Sequence, residues 1–264
     1  MTIQQTDFIW ETAEEYHSKA KDYLSSHQLM TYEDSPAIYA YQLAQPKADT
    51  TAFRFGRAVH TYVLEGEQVF NEDYLVAGGD AINAKTGKPY GYDTKKFKDW
   101  EKAQGKTGIT EEDLDICRGM AEAVRSHTIA ANLLASGFPE AVLRETYCDT
   151  PCQIRIDWTN PSADTIVDLK TISDITRFEY QFKAFRYANQ MAFYAGVWRV
   201  KFGVMPSVSM IAVESNPPYR VGVWSLTPAT LKDARIYNEA TIPKFIQSKQ
   251  TGIYPTNYEN ERYL

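Results

Sequence analysis

Two acidic residues and one lysine occur near the ends of two short apolar segments, 154–157 (IRID) and 166–170 (IVDLK). An Asn-Pro-Ser turn signal lies between the segments, which favours two consecutive strands. Because side chains alternate along a strand, Asp168 and Lys170 project to one face while their apolar neighbours face the core. If the two strands pair in antiparallel fashion, Asp157 lies beside Asp168.

Two neighbouring carboxylates repel each other unless a cation lies between them, and hard oxygen ligands suit Mg²⁺, for which Mn²⁺ can substitute. Such an ion is typical of phosphodiester hydrolysis, in which a nearby lysine can orient the attacking water or stabilise the charge on phosphate. The spacing D-x10-D-x-K also fits a structural ion pair between Asp168 and Lys170. The strand pattern alone leaves both interpretations open.

The pattern resembles the PD-(D/E)XK nucleases, whose signature is an acidic residue on one strand and an acid-x-Lys motif on the next. Asp157 and the motif at 168–170 (DLK) match those positions. The segment 55–60 (FGRAVH) is similar to the G-x-x-x-H element of the RecB-like and exonuclease VIII branches, which implies that His60 binds metal. The metal ligands implied by this resemblance are His60, Asp157, Asp168 and the backbone carbonyl of Leu169.

A helix is expected after the lysine, and it carries Gln190 and Tyr194, which match the Q-x-x-x-Y element of the same branches. Tyr187 shares their helical face by its spacing. An amphipathic aromatic face packed on the core is the alternative interpretation. The resemblance implies instead that Gln190 and the tyrosines steady Lys170 or a DNA phosphate. The residues grouped as DNA contacts are Arg57, Glu145, Arg186 and Tyr187, and Glu145 also resembles a further acidic position of the family.

The resemblance to the exonuclease VIII branch covers most of the chain, through segments 35–39, 56–65, 154–171 and 177–194. It implies a phage or prophage exonuclease that degrades one strand of linear double-stranded DNA from the 5′ end. A 3′ single-stranded tail would remain for a single-strand annealing protein. The resemblance also implies a homo-oligomeric ring, either a trimer or a tetramer.

Two other functions are compatible with the same residues. Cas4-like and AddB-like nucleases share the order of His, Asp and Asp-x-Lys, but they use four cysteines for an iron–sulfur cluster. This chain has three cysteines, Cys117, Cys148 and Cys152. A catalytically idle DNA-end-binding protein could keep the fold without the activity. The intact set of histidine, acids and lysine argues against such a loss.

The order of predicted strands and helices around these residues indicates a mixed α/β (α+β) fold. We expect a restriction-endonuclease-like core, in which a central mixed β-sheet is flanked by helices. We expect one domain over 1–264, with a helical N-terminal part at 10–75, a linker at 45–50 and a flexible basic excursion at 78–108. That excursion either contacts a polyanion or is a solvated loop that happens to be basic, and the charge pattern favours the loop. The predicted strands are 142–147, 152–158, 165–169, 208–213 and 219–225, and the later predicted helices are 111–135, 178–200 and 228–248.

Composition limits the remaining possibilities. Of 264 residues, 44% are hydrophobic and 23% are charged, which predicts a folded chain with a sizeable core. The net charge of −6 means that contact with DNA must be local. Three cysteines offer no disulfide framework, and we find neither a signal peptide nor an apolar stretch that could span a membrane. We therefore expect a protein of the bacterial host cytoplasm without membrane association.

Overall fold

Helices dominate the N-terminal part of the computed structural model, which describes residues 3–45 and 50–263. Ser25 and Ser35 cap two of them by accepting backbone N–H groups, as the sequence predicts. Thr50 caps a third in the same way. Residues 46–49 of the predicted linker lie outside the described residues. The helices are α1 (Ala13–Ser18), α2 (Ser26–Asp34), α3 (Pro36–Leu43), α4 (Thr51–His60) and α5 (Glu67–Asp73), and the π-helical turn Thr61–Glu65 joins the last two.

The polar segment 78–108, which we expected to be a flexible excursion, is partly regular. Its helix places Phe97 and Trp100 on one face, where they pack with Ala81 in a small core of their own. The density of lysine and glycine in the sequence hides this amphipathic period, because the lysines occupy the solvent side of the helix. The elements of this region are β1 (Tyr74–Val76), α6 (Lys95–Gln104), β2 (Thr107–Ile109), α7 (Glu111–Ser126) and α8 (Thr128–Leu134), and β1 pairs with β2 in parallel.

A mixed sheet forms the centre of the molecule. Among the described residues it has five strands in the order β3-β4-β5-β6-β7, and all neighbours are antiparallel except β5 and β6. The parallel pair requires a crossover, which two helices provide. The predicted mixed sheet flanked by helices is therefore confirmed. The elements are β3 (Phe138–Tyr147), β4 (Thr150–Asn160), β5 (Thr165–Ile172), α9 (Phe178–Ala184), α10 (Tyr187–Phe202), β6 (Ser207–Glu214), β7 (Val221–Ser225) and α11 (Pro228–Thr251).

The core has two layers, one on each face of this sheet. Alternation along β5 divides its side chains, so that Ile166 joins the layer under α10 and α11 while Leu169 joins the layer under α4 and α7. Both side chains are fully buried, and each such burial contributes about 1.5–3 kcal/mol. α11 is long, with 24 residues, but no helix within the described ranges is both long and apolar enough to span a membrane.

The helix predicted over 178–200 is broken into two. The break falls at Phe185 and Arg186, and Arg186 has left-handed backbone angles of φ 51° and ψ 44°. A left-handed residue cannot continue a right-handed helix, so α10 leaves the corner in a new direction. Two acidic residues of α2, Glu33 and Asp34, hold Arg186 at this corner.

Candidate active site

The strands that carry the two aspartates separate at the site. Antiparallel pairing between β4 and β5 runs from Asn160–Thr165 to Trp158–Val167 and then stops. In the same register Asp157 would face Asp168, but the strands have begun to diverge. The Asp157 Oδ2 atom instead accepts the backbone N–H of Leu169 at 2.8 Å. The Asp157 carboxylate thus satisfies a backbone N–H of β5 that has no partner on β4. The same hydrogen bond fixes Asp157 in the gap where the two strands separate.

His60 approaches the gap from the C-terminal end of α4. Its Nδ1 atom lies 3.6 Å from Asp157 Oδ2, and its side chain is about one quarter exposed. Burial lowers the pKa of His60, although Asp157 and a hydrogen bond with the Leu169 backbone act in the opposite direction. The imidazole is therefore favoured in its neutral form, which is the form that binds metal ions.

Glu140 on β3 is the third member of the group, and sequence reasoning missed it. One ligand atom each from His60, Glu140 and Asp157 lies within 4.8 Å of the other two. The β3–β4 register explains this, because Pro139 faces Trp158 and Ala141 faces Ile156, which leaves Glu140 opposite Asp157. A hairpin turn at Cys148 and Asp149, both with positive φ, sets that register. Counting back from this turn could have identified Glu140.

Glu145, the acid that we expected on this strand, lies away from the group. Its carboxylate forms an ion pair with Lys201 of α10 at 3.1 Å. Glu140 has a different environment, because Arg155 Nε is 2.8 Å from its Oε2 atom. Burial raises the pKa of Glu140 to about 8, while the charge of Arg155 lowers it and that of Asp157 raises it further. Glu140 thus replaces Glu145 as the acid that β3 brings to this gap.

Asp168 and Lys170 form a second group next to the first. The Lys170 ammonium lies 2.8 Å from Asp168 Oδ2 and donates a hydrogen bond of 3.0 Å to Oδ1. Gln190 on α10 joins them, since its Nε2 donates to Asp168 Oδ1 at 3.2 Å and its Oε1 accepts from Lys170 at 3.3 Å. Asp168 is only 3% exposed and Lys170 only 20%. Such a buried pair contributes little net stability because its desolvation is costly, so folding alone gives a weak reason for it.

The charge states of this second group follow from its burial. Burial raises the pKa of Asp168 to about 7, although Lys170 lowers it. Burial also lowers the pKa of Lys170, but the neighbouring Asp168 and Asp157 raise it by more, so that the net direction is upward. Lys170 is therefore an ammonium at neutral pH and acts as a hydrogen-bond donor.

Two tyrosines of α10 surround Lys170 and Gln190. The Lys170 Nζ atom lies 4.9 Å from the centre of the Tyr187 ring, which is a cation–π distance. Tyr194 is buried and forms a side-chain hydrogen bond with Gln190. Tyr187 and Gln190 of the predicted helical face therefore contact Lys170, and Tyr194 joins this group through Gln190.

The two arginines named as DNA contacts have different places. Arg57 is exposed on α4, one turn before His60. Arg186 lies at the corner between α9 and α10, where it donates hydrogen bonds of 2.5 Å to Glu33 and to Asp34. Its guanidinium also reaches the carbonyl of Met30 at 3.1 Å. The structure therefore ties Arg186 to α2 rather than bringing it into the candidate site.

The residues present fit a hard divalent cation. One imidazole and two carboxylates converge, and oxygen donors with an imidazole suit Mg²⁺ or Mn²⁺. Asp168 lies outside the 4.8 Å group among the described residues, and its buried Oδ2 atom is ion-paired with Lys170 at 2.8 Å. A carboxylate has several acceptor sites, so Asp168 can serve Lys170 and a cation held by the group at the same time.

A family model described as "PDDEXK-like domain of unknown function (DUF3799)" matches residues 25–264. The chain belongs to this family. The match confirms the resemblance to PD-(D/E)XK nucleases that rests on Asp157, Asp168 and Lys170. In this PDDEXK-like domain, the motif residues lie on β4 and β5, where the strands separate.

The PDDEXK-like domain is also similar to solved structures. A "Putative exonuclease" from Eubacterium rectale is 17% identical with a TM-score of 0.67, and the match covers 97% of this chain and 95% of that chain. At this identity the likeness shows the fold. A "phage related exonuclease" from Haemophilus somnus 129PT is 13% identical with a TM-score of 0.30, covering 71% of this chain and 95% of that chain. No curated protein matches the chain.

Proposed function

We propose that this PDDEXK-like domain hydrolyses phosphodiester bonds in DNA with a divalent cation, Mg²⁺ or Mn²⁺. One observation carries the proposal. The half-buried ammonium of Lys170, held by Asp168 and Gln190, lies beside the convergent ligand group of His60, Glu140 and Asp157. Perturbed titratable groups clustered around a possible metal position are typical of catalytic sites.

The residues divide the chemistry between them. His60, Glu140 and Asp157 would hold the cation, together with Asp168 and the Leu169 carbonyl. When bound, the cation supplies Lewis-acid stabilisation of the negative charge on the phosphate. Lys170 is protonated, so it orients the attacking water or donates to a phosphate oxygen. Gln190 and Tyr194 keep the ammonium in place, and cleavage of the P–O3′ bond leaves a 5′-phosphate and a 3′-hydroxyl.

The finer proposal is an exonuclease acting on one strand of linear double-stranded DNA from the 5′ end. The resemblance to the exonuclease VIII branch supports it. On the same basis we propose a single domain over the chain, a ring of three or four subunits, a phage or prophage role in recombination with a single-strand annealing protein, and the bacterial cytoplasm as its location.

The experiment uses blunt linear duplex labelled at one 5′ end or one 3′ end, with a closed circular duplex as control. With Mg²⁺, we expect early release of the 5′ label as mononucleotide and gradual shortening of the 3′-labelled strand. Chelator should stop release of the 5′ label and shortening of the 3′-labelled strand. The Lys170→Ala variant should also stop both reactions, but it should still bind DNA in Ca²⁺. Cutting of the circle would contradict exonuclease action. Binding without cleavage in either Mg²⁺ or Mn²⁺ would identify an idle DNA-binding protein.

The positions of the cysteines argue against the iron–sulfur alternative. Cys117 lies in the core layer under α4 and α7, while Cys152 lies in the layer under α10 and α11, on the other face of the sheet. Burial raises the pKa of each of these thiols to about 12, whereas cluster ligands are thiolates. We expect the purified protein to have no visible absorption.

A further inference from the structure

An exposed aromatic side chain lies two contacts away from Lys170. The Lys170 ammonium lies over the Tyr187 ring, and the Phe185 ring centre is 5.8 Å from that of Tyr187. Exposure increases outward along this series, since Lys170 is 20% exposed, Tyr187 is partly buried and Phe185 is 56% exposed. The series leads from the proposed reaction centre to solvent.

The backbone holds Phe185 in this exposed position. Its N–H donates to the Gln181 carbonyl of α9, and the next residue, Arg186, has the left-handed conformation that begins α10. That conformation is strained for a residue with a side chain. The ion pairs of Arg186 with Glu33 and Asp34 hold the corner against this strain. The ring is thus displayed by a fixed corner.

The chemistry of the exposed Phe185 ring indicates which ligand it would bind. Stacking on another flat ring is favourable for a flat apolar ring in water, and each nucleobase has such a face whatever its identity. The Tyr187 ring contacts both the Lys170 ammonium and the Phe185 ring, so a DNA strand with a phosphate at Lys170 would bring the base of an adjoining nucleotide within reach of Phe185. We infer that Phe185 binds that base by stacking and so positions the strand for cleavage, an inference that rests on the proposed function.

The test measures binding of short duplexes in Ca²⁺ by fluorescence anisotropy, so that the DNA stays intact. An abasic nucleotide is placed in turn at each of the first three positions of the 5′-ended strand. At one of them we expect wild-type affinity to fall by about 5- to 150-fold, which is the range for one base–aromatic stack. Phe185→Ala should bind intact DNA more weakly by a similar factor and lose its response to the abasic nucleotide. Phe185→Trp should keep both.

Ile129 provides a matched control. It is 58% exposed on α8, whose residues pack in the core layer on the other face of the sheet from α10. Ile129→Ala removes a similarly exposed apolar side chain that is not part of the Lys170, Tyr187 and Phe185 series, and it should bind like the wild type. Wild-type affinity in Phe185→Ala, or an unchanged abasic response, would overturn the inference. A change in oligomer mass by light scattering without an altered abasic response would assign Phe185 to a subunit contact and would also overturn it.

The outcomes separate this inference from the proposed function. If the wild type degrades linear duplex in Mg²⁺ while Phe185→Ala binds and responds normally, stacking by Phe185 is rejected and the nuclease remains. If the wild type binds DNA with the abasic response but never cleaves, the hydrolytic function fails and the base contact stands. Absence of any DNA binding by the wild type rejects both.

Discussion

Asp157 and Leu169 are joined by a hydrogen bond of 2.8 Å between a side-chain carboxylate and a backbone N–H, just beyond the last β4–β5 ladder pair, Trp158–Val167. The same Oδ2 atom faces His60. Asp157 therefore has two tasks, one in satisfying the strand and one in the ligand group, and they can be separated by mutation.

Asp157→Asn keeps an acceptor for the Leu169 N–H but removes the charge. We expect its thermal stability to stay near that of the wild type and its cleavage activity to be lost. Asp157→Ala also leaves the N–H without this partner, which should lower the free energy of unfolding by about 1–3 kcal/mol. Denaturant melts and single-turnover cleavage measure the two effects. Equal stability in both variants would show that the hydrogen bond contributes nothing.

Glu140 and Glu145 offer a paired test of which acid of β3 binds metal. Glu140→Gln should weaken Mn²⁺ binding by at least about 10-fold, as loss of groups around a metal site typically does. Glu145→Gln removes only the contact with Lys201 and should bind Mn²⁺ normally. Titration calorimetry of the two variants without DNA gives the answer. The reverse result would assign the role to Glu145.

The raised pKa values predict that the metal-free protein loses stability between about pH 6.5 and pH 8. Glu140 and Asp168 have folded-state pKa values of about 8 and about 7, well above their ordinary values of 4.5 and 3.8. In this window the folded state binds more protons than the unfolded state, so raising the pH favours unfolding. Below this pH window, titration of His60 has the opposite effect on stability. The pKa of His60 is lowered in the folded state, so the unfolded state takes up the proton first and raising the pH favours folding.

Melting temperatures measured in chelator across this pH window give the slope of stability against pH. Glu140→Gln should flatten it, since glutamine does not titrate. Mn²⁺ should stabilise the wild type more at pH 8 than at pH 6.5, because a bound cation requires ionised ligands. A slope that is unchanged in Glu140→Gln would show that this carboxyl does not titrate in the window.

Arg186 and Arg57 should respond differently when they are neutralised. Arg186→Gln removes the partner of Glu33, which is only 8% exposed in the ion pair, so we expect lower thermal stability. Its DNA affinity should keep the wild-type dependence on salt concentration. Arg57→Gln should reduce the salt slope of DNA binding by about 1, as loss of one phosphate contact does. A reduced slope in Arg186→Gln would restore its expected DNA contact.

Local rules in the sequence predict a good part of this fold. Ser25 and Ser35 begin helices because a hydroxyl can satisfy the unpaired N–H groups of the first turn. Asp168 and Lys170 share a face because alternation is a property of any strand. The motif at 168–170 and Asp157, together with the elements around His60 and Gln190, predicts a PD-(D/E)XK resemblance, which the family match confirms.

Only the tertiary structure decides the rest, because it depends on register and on partners distant in the chain. Glu140 enters the ligand group through the register of a hairpin, which apolar periodicity does not specify at the strand end. Arg186 is removed from the site by acids 152 and 153 residues earlier in the chain. The amphipathic helix α6 acquires its small core only when Phe97 meets Ala81 and Trp100. The sequence thus determines which groups can do chemistry, and packing determines which of them meet.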